Sequence, residues 1–532
     1  MAVRTLLGDE AVALGGIHAG ISAAYGYPGT PSTEILEFLL QHRPEVAASW
    51  AVNEKTAYEQ ALGVSMAGRR VLVTMKHVGL NVAADPFVNS ALLDINGGLV
   101  LAVADDPGMH SSQNEQDSRL LADFARTICL EPHDAQSAYD MTREAFDLSE
   151  RFHVPVVLRL VTRLAHCRTG VEVGASRPPN PLSKAPDHGN WVLLPANARR
   201  RWRDLLDRQA DFLAFSEHSA HNELTAGSGE AGVITAGIAR HYLAEHLPEL
   251  EQRPPILHVG TYPLPAALLR RFAAQVRRIL VLEDGYPFIE RMLRGVLPAP
   301  VAIAGRETGD LPIDGELTPD TVRRALGQPQ RPHLPGVPVP ARTPQLCNGC
   351  PHIDTVRALK EALEGLPRQL VASDIGCYTL AALPPLAALD SCVCMGASIG
   401  MAKGASDAGL KPTVALIGDS TFLHSGLTPL LDAVAADTDM TVIIADNEVV
   451  GMTGGQPTLV GSSRLYPILI GLGVPAEHCH LIEAHPRYAV TNAELIRREI
   501  EHPGLSVIVA VRECVESVRA RKARAPNEGA VT

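Results

Sequence analysis

Four polar residues stand where two apolar runs end: Asp419, Ser420 and Thr421 after the run 413–417, and Asn447 after the run 440–445. Two buried strands joined by a helical crossover would bring both tips to one carboxyl edge of a parallel sheet, where open α/β sheets bind ligands. A carboxylate and a carboxamide offered beside two hydroxyls suit a hard cation such as Mg²⁺ carrying a diphosphate. Gly418 is expected to permit the tight turn, and the helix N-terminus after it favours anionic oxygens. The same residues also fit two ordinary strand ends, or a nucleotide site, since many doubly wound sheets hold nucleotides.

Those tips need elements to position them. Up to about residue 170 the chain alternates strand-like and helix-like segments. A turn at 23–30 leads into a helix at 32–40, with Thr30 read as its N-cap and Pro31 as its first residue. Asn53-Glu54-Lys55 opens an Ala-rich helix. Strands at 71–75, 99–104 and 154–160 follow, and the first two run into polar loops carrying Lys76-His77 and the stretch from Asp105 to Ser112. Such alternation implies a parallel sheet covered by helices. Beyond a Pro-rich linker at 174–190, a middle region from about 195 to 325 has α/β character and no chemical motif, so packing is its simplest role. A second Pro-rich connector, 328–345, precedes a last region with strands at 369–375, 413–417, 440–445 and 505–511. After 511 the sequence has no periodicity and is expected to fray.

A chain of 532 residues exceeds one core, and three domains are expected. Net charge −12 argues against nucleic acid or an anionic membrane as the main partner. No apolar run approaches the roughly 18 residues of a spanning helix, and Asp9 and Glu10 interrupt any signal-peptide core. Nine cysteines, an odd count, read as reduced thiols or metal ligands in a cytoplasmic protein.

The spacing from Asp419 to Asn447 resembles the thiamine-diphosphate motif, with Ser420 where the motif usually has Gly. Further matches lie along the chain: Gly26-Tyr-Pro-Gly-Thr-Pro-Ser-Thr-Glu34, Val52-Asn-Glu-Lys55, the run from Val73 to Pro86, Ala104-Asp-Asp-Pro-Gly108 to Ser112, Cys347-Asn-Gly-Cys-Pro-His352, Asp374-Ile-Gly-Cys-Tyr-Thr-Leu380, Met395 to Gly400 and Gly418-Asp-Ser-Thr421. Together they resemble the alpha subunits of indolepyruvate ferredoxin oxidoreductases, in the 2-oxoacid:ferredoxin oxidoreductase superfamily, over roughly residues 10 to 515.

The resemblance implies an α/β fold with two thiamine-diphosphate-binding, doubly wound parallel-sheet domains and a smaller α/β domain between them. Residues 1–175 would be the pyrimidine-binding type, 195–327 a transketolase C-terminal-like middle domain, 345–515 the diphosphate-binding type, and 516–532 a disordered tail. It implies oxidative decarboxylation of arylpyruvates to aryl-acetyl-CoA, with electrons passed to ferredoxin. A separate beta subunit, smaller or itself enlarged, is implied in a hetero-oligomer with a dimeric core. Glu54 falls where the family places the carboxylate that hydrogen-bonds the aminopyrimidine ring; by position alone it would only complement a helix dipole. Thr30, Lys76 and His77 would meet the oxoacid, Lys76 and His77 being otherwise a solvated loop pair; His110 is the weaker candidate. Gly418, Asp419, Ser420, Thr421 and Asn447 would hold the cofactor, with Asp419 and Asn447 on Mg²⁺.

Cys347-x-x-Cys350 invites a metal. In the superfamily a CxxC is joined by a third Cys after the next strand and a fourth near the domain's end, which Cys377 and Cys514 match, for a 4Fe–4S cluster. Free structural thiols are the alternative, and Cys392 and Cys394 could substitute for a ligand; Cys129, Cys167 and Cys479 read as packing residues. The ferredoxin-like Cys-rich module that family members usually carry after this region is not in the sequence, so electrons are expected to reach a partner chain or another acceptor. Two other readings stand beside this one: a non-oxidative thiamine decarboxylase or carboligase, which needs no redox centre, and a non-catalytic scaffold, against which Glu54, Asp419 and Asn447 argue.

Overall fold

Val71–Lys76 and Leu99–Asp105 are buried along their whole length, as continuous apolar runs must be when helices cover both faces of a parallel sheet. They lie within a seven-stranded sheet ordered Thr261–Tyr262, Ile128–Leu130, Val156–Val161, Leu99–Asp105, Val71–Lys76, Ala23–Gly26 and Ala47–Trp50. All its pairs are parallel except the first, in which Thr261–Tyr262 runs antiparallel to Ile128–Leu130. The computed structural model describes residues 2–42, 45–296, 301–331, 344–366 and 369–524. It divides into two compact units, Met1–Gly336 and Val337–Thr532. Most of the expected connector at 328–345 lies outside the described residues.

The first unit holds a second sheet, of five strands: Ala302–Ala304, Arg278–Leu282, Ala231–Ala236, Ile256–Val259 and Glu223–Thr225. Its apolar side chains join those of the first sheet, with Leu101, Val157, Leu257 and Phe272 in one continuous core. A buried ion network also ties the two sheets. Arg159 Nε reaches Asp105 Oδ2 at 2.7 Å, and its Nη1 pairs with Glu131. Arg119 pairs with Asp117 at 2.5 Å and with Glu283 at 3.0 Å. Tyr262 donates to Glu131 at 2.6 Å.

In the second unit a six-stranded, all-parallel sheet runs Ser391–Cys392, Leu370–Ser373, Thr413–Gly418, Met440–Asp446, Leu505–Val511 and Cys479–Glu483. Val414 and Leu416 enter one apolar cluster and Ala415 and Ile417 the other, the two-residue period of a strand covered on both faces. The α/β class and parallel sheets are those the sequence predicts.

Two expectations change. Thr30 does not cap a helix: the helix is Thr33–Leu40, with Ser32 at its N-cap position and Ser32 Oγ turned back onto Gly29 O at 2.8 Å. The tail expected beyond 515 is helical over Val515–Arg524, begun by Val518 N on Cys514 O and braced by Glu516–Arg519 and Glu513–Arg521 ion pairs; residues 525–532 lie outside the described residues. Among the described residues no helix is long and apolar enough to cross a membrane.

Candidate active site

At the carboxyl edge of the seven-stranded sheet, consecutive strand ends deliver Thr30, Glu54, Lys76 and His77. Asn53 caps helix Glu54–Met66, its side chain accepting from Thr56 N at 2.8 Å, which fixes Glu54 as the first helical residue. The Glu54 side chain turns inward and is buried. It lies against Gly79, where a Cβ would stand 2.4 Å from Glu54 Oε1, so only glycine leaves room for the carboxyl group. Lys76 Nζ donates to Ser111 O at 2.7 Å, and Ser111 Oγ donates to Thr30 O at 3.2 Å, which brings Thr30 and Lys76 to one point. Burial pulls the Lys76 ammonium down to about 8, against the opposing pull of Asp106. His77 is buried, with Nε2 3.3 Å from Asn114 Oδ1 and Nδ1 buried without a protein partner among the described residues. His110 stands apart from this group, half-exposed and 3.3 Å from Glu316.

In the second unit Gly418 pairs with Ala445 across parallel strands, so Asp419 and Asn447 emerge side by side. Asp419 Oδ2 accepts from Glu448 N at 3.0 Å and Asn447 Oδ1 from Val449 N at 3.3 Å. Asp446 faces Asp419, and one oxygen, Oδ2, is buried without a partner among the described residues. Burial, then the neighbouring Asp446 charge, push the Asp419 carboxyl well above the usual range, and burial raises Asp446 as well. Two adjoining buried carboxyls with an orphan oxygen and a carboxamide beside them form an oxygen donor set that a hard divalent cation would neutralise. Gly418 has ordinary extended backbone (φ −81°, ψ 160°). Its smallness serves packing instead of a turn, because a Cβ there would stand 2.8 Å from Tyr378 Cε1. Thr421 Oγ1 donates to Ile375 O at 3.1 Å. Ser420 lies in the short helical turn Asp419–Thr421, which passes into a π-helical turn, Phe422–Gly426, a distortion frequent at functional sites.

Thiols adjoin this edge. A Cβ on Gly451 would lie 3.1 Å from Cys377 Sγ and 3.9 Å from Asn447 Nδ2, and Cys514 N donates to Asn447 O at 3.2 Å. Cys350 N donates to Cys347 O at 3.0 Å. Burial pushes the Cys377 thiol up to about 12, with Cys350, Cys514 and Cys347 adding to the rise; Cys350 is raised to about 11 by burial, with Cys347 and Cys514 contributing. The four thiols are thus electrostatic neighbours, although no three of them bring sulfurs within 4.8 Å of one another. Cys392 and Cys394 are exposed, and partial desolvation together with the Asp374 charge raises both thiols. Cys129 and Cys479 are buried, whereas Cys167 is exposed and is no packing residue.

Gly79, Ser111, Asn114, Asp446 and Gly451 are not among the candidates read from sequence. Asp446 carried a signal, since it directly precedes Asn447 at a strand end. The others become visible only when loops distant in sequence meet.

Residues 15–184 match the family described as pyruvate flavodoxin/ferredoxin oxidoreductase, thiamine diP-binding, and residues 374–510 the C-terminal TPP-binding domain of thiamine pyrophosphate enzymes. The indolepyruvate oxidoreductase subunit IorA of Archaeoglobus fulgidus is 37% identical, over 96% of this chain and 86% of its own length. That of Methanothermobacter thermautotrophicus is 37% identical, over 98% and 88%. Among solved structures, a 2-oxoglutarate:ferredoxin oxidoreductase from Magnetococcus marinus shares the fold, with TM-score 0.50 and 19% identity over 61% of this chain and 65% of its own.

Proposed function

Because this chain belongs to the family of indolepyruvate oxidoreductase subunit IorA, we propose that it is the catalytic subunit of an enzyme that oxidatively decarboxylates arylpyruvates to aryl-acetyl-CoA. The broader description is a subunit of a thiamine-diphosphate-dependent oxidoreductase of the 2-oxoacid:ferredoxin type, and it rests on that membership and on both matched domains. Its relatives are named as subunits, so a beta subunit completes the working hetero-oligomer.

Thiamine diphosphate, when bound, supplies an acidic carbon and an electron sink. In this reading Glu54 would hydrogen-bond the aminopyrimidine ring of the bound cofactor, its carboxyl group shielded from water by burial against Gly79. Asp419 and Asn447 would hold Mg²⁺, Asp446 would add negative charge beside them, and Gly418, Ser420 and Thr421 would border the diphosphate. Thr30 and Lys76 receive the oxoacid carboxylate, and His77, whose Nε2 is held by Asn114 Oδ1, presents Nδ1 to the substrate, as an acceptor in the neutral ring and a donor only once the ring is protonated. Cys347, Cys350, Cys377 and Cys514 would hold a 4Fe–4S cluster able to accept electrons, for transfer to ferredoxin or another acceptor.

The observation that carries the oxidative reading is the position of Cys377 and Cys514, both against the Asn447 strand end. A redox centre there would stand beside the residues assigned to the diphosphate, whereas a non-oxidative lyase has no use for one. The test is iron content and visible absorption of the chain purified without oxygen. The expected result is about four irons per chain and a brown protein, with both lost in Cys347→Ser. A colourless protein that still binds thiamine diphosphate would favour the decarboxylase or carboligase.

Lys76 makes the substrate dependence on pH specific. Its ammonium, brought down to about 8 by burial, is charged below that pH and neutral above it. Affinity for the anionic oxoacid should therefore fall as pH rises through about 8, with KM climbing toward tenfold per further pH unit. Lys76→Arg, which stays charged, should flatten that rise. An identical KM profile in both proteins would remove Lys76 from the carboxylate site.

A further inference from the structure

Outside the site just described, His133, Asp134 and His241 gather their ligand atoms within 4.8 Å of one another in the first unit. His133 and Asp134 follow strand Ile128–Leu130 of the seven-stranded sheet, and His241 lies on helix Ala239–His246, which follows strand Ala231–Ala236 of the five-stranded one. Both imidazoles present Nε2 to the same oxygen, Asp134 Oδ2, each at 3.7 Å. Tetrahedral zinc with nitrogen and oxygen ligands spaces its donors by about 3.3 Å, so a small side-chain adjustment would close the set. The other carboxylate oxygen, Oδ1, accepts from Ser137 N at 2.7 Å and from Ser137 Oγ at 2.8 Å. That helix cap orients Oδ2 as outer-sphere partners orient metal ligands.

His258 is an independent pointer to the same place. It is only 3% exposed; its Nδ1 meets Thr235 Oγ1 at 3.0 Å, and Nε2 is buried with no partner among the described residues. Its ring meets that of His133 edge-on, with centroids 5.1 Å apart. Two nearby groups do not compete for Asp134: Arg240 is paired with Glu223 at 2.7 Å, and His221 with Glu144 at 2.6 Å.

We propose that His133, Asp134 and His241 form a binding site for a divalent transition metal of the zinc type, with a fourth position for His258 Nε2 or water, clasping the two sheets of the first unit. Imidazole and carboxylate donors in this number suit such an ion better than Mg²⁺ or Ca²⁺. The site is separate from the thiamine machinery and does not depend on the function proposed for it.

The test is Zn²⁺ binding by equilibrium dialysis to the full chain, stripped of metal by chelation and carrying Cys347→Ser and Cys350→Ser to weaken competing thiol sites. The expected result is about one equivalent more zinc per chain in this parent than in the same chain with His241→Ala, and a zinc-dependent rise in thermal midpoint that the variant lacks. His241 is half-exposed, so its removal leaves the core intact. Asp134→Asn keeps a helix-capping oxygen and should bind zinc at least about tenfold more weakly than the parent. Equal zinc in the parent and both variants, or no zinc in the parent, would overturn the site.

Discussion

Glu54→Gln should lower thiamine-diphosphate-dependent decarboxylation by about 10² to 10⁴-fold, the range spanned by a positioned acid–base group. The substitution keeps the shape of the side chain, so the fit against Gly79, whose Cβ position lies 2.4 Å from Glu54 Oε1, is preserved. The helix cap is also untouched, because it belongs to Asn53. What disappears is the ability to take a proton and carry a negative charge in a buried place. Single-turnover decarboxylation, compared at equal cofactor occupancy, isolates that loss. A rate equal to the parent's would deny Glu54 its role and return it to complementing a helix dipole.

The largest expected effect on stability comes from Arg119→Met. Arg119 is fully buried, with Asp117, Glu283 and Tyr262 on its guanidinium at 2.5, 3.0 and 3.2 Å, and it also donates to the carbonyls of Asp284 and Tyr286. Glu283 is already pushed up to about 7 by burial, against the pull of Arg119. Taking one member from such a network leaves buried carboxylates without their counter-charge, at about 3–5 kcal/mol. The first unfolding transition should therefore move down by on the order of 10 °C. Arg119→Lys should recover only part of this, since one ammonium cannot serve five acceptors in a plane. An unchanged midpoint in Arg119→Met would show that the network contributes nothing net.

How far the sequence could be read depended on whether a feature was local. Asp419 and Asn447 were legible because each ends an apolar run, and neighbouring parallel strands put both ends on one edge. Asp446 was overlooked because it reads as the strand's own last polar residue, and only the facing Asp419 reveals a carboxyl pair. Strand Cys479–Glu483 escaped because an edge strand needs no continuous apolar run, and His480 and Glu483 interrupt the apolar residues of Cys-His-Leu-Ile-Glu. Helix Val515–Arg524 lacks an apolar stripe and is braced by ion pairs, so periodicity could not find it. The union of the middle region with the first sheet was hidden most deeply. It depends on Arg119, Glu131, Arg159 and Glu283, which composition assigns to the surface and the fold buries as a mutually satisfied set.

The two-residue strand Thr261–Tyr262 also has a bearing on aggregation. By pairing with Ile128–Leu130 it covers one margin of the seven-stranded sheet, where a bare, fully buried apolar strand would otherwise present open amide and carbonyl groups to another chain. A fragment cut at the linker after residue 173 would bare that margin and at once take Glu283 and Tyr262 from Arg119 and the Asp284 carbonyl from both Arg119 and Arg159. The middle region thus acts as a built-in edge guard, and the smallest well-behaved piece of this half of the protein extends through the five-stranded sheet.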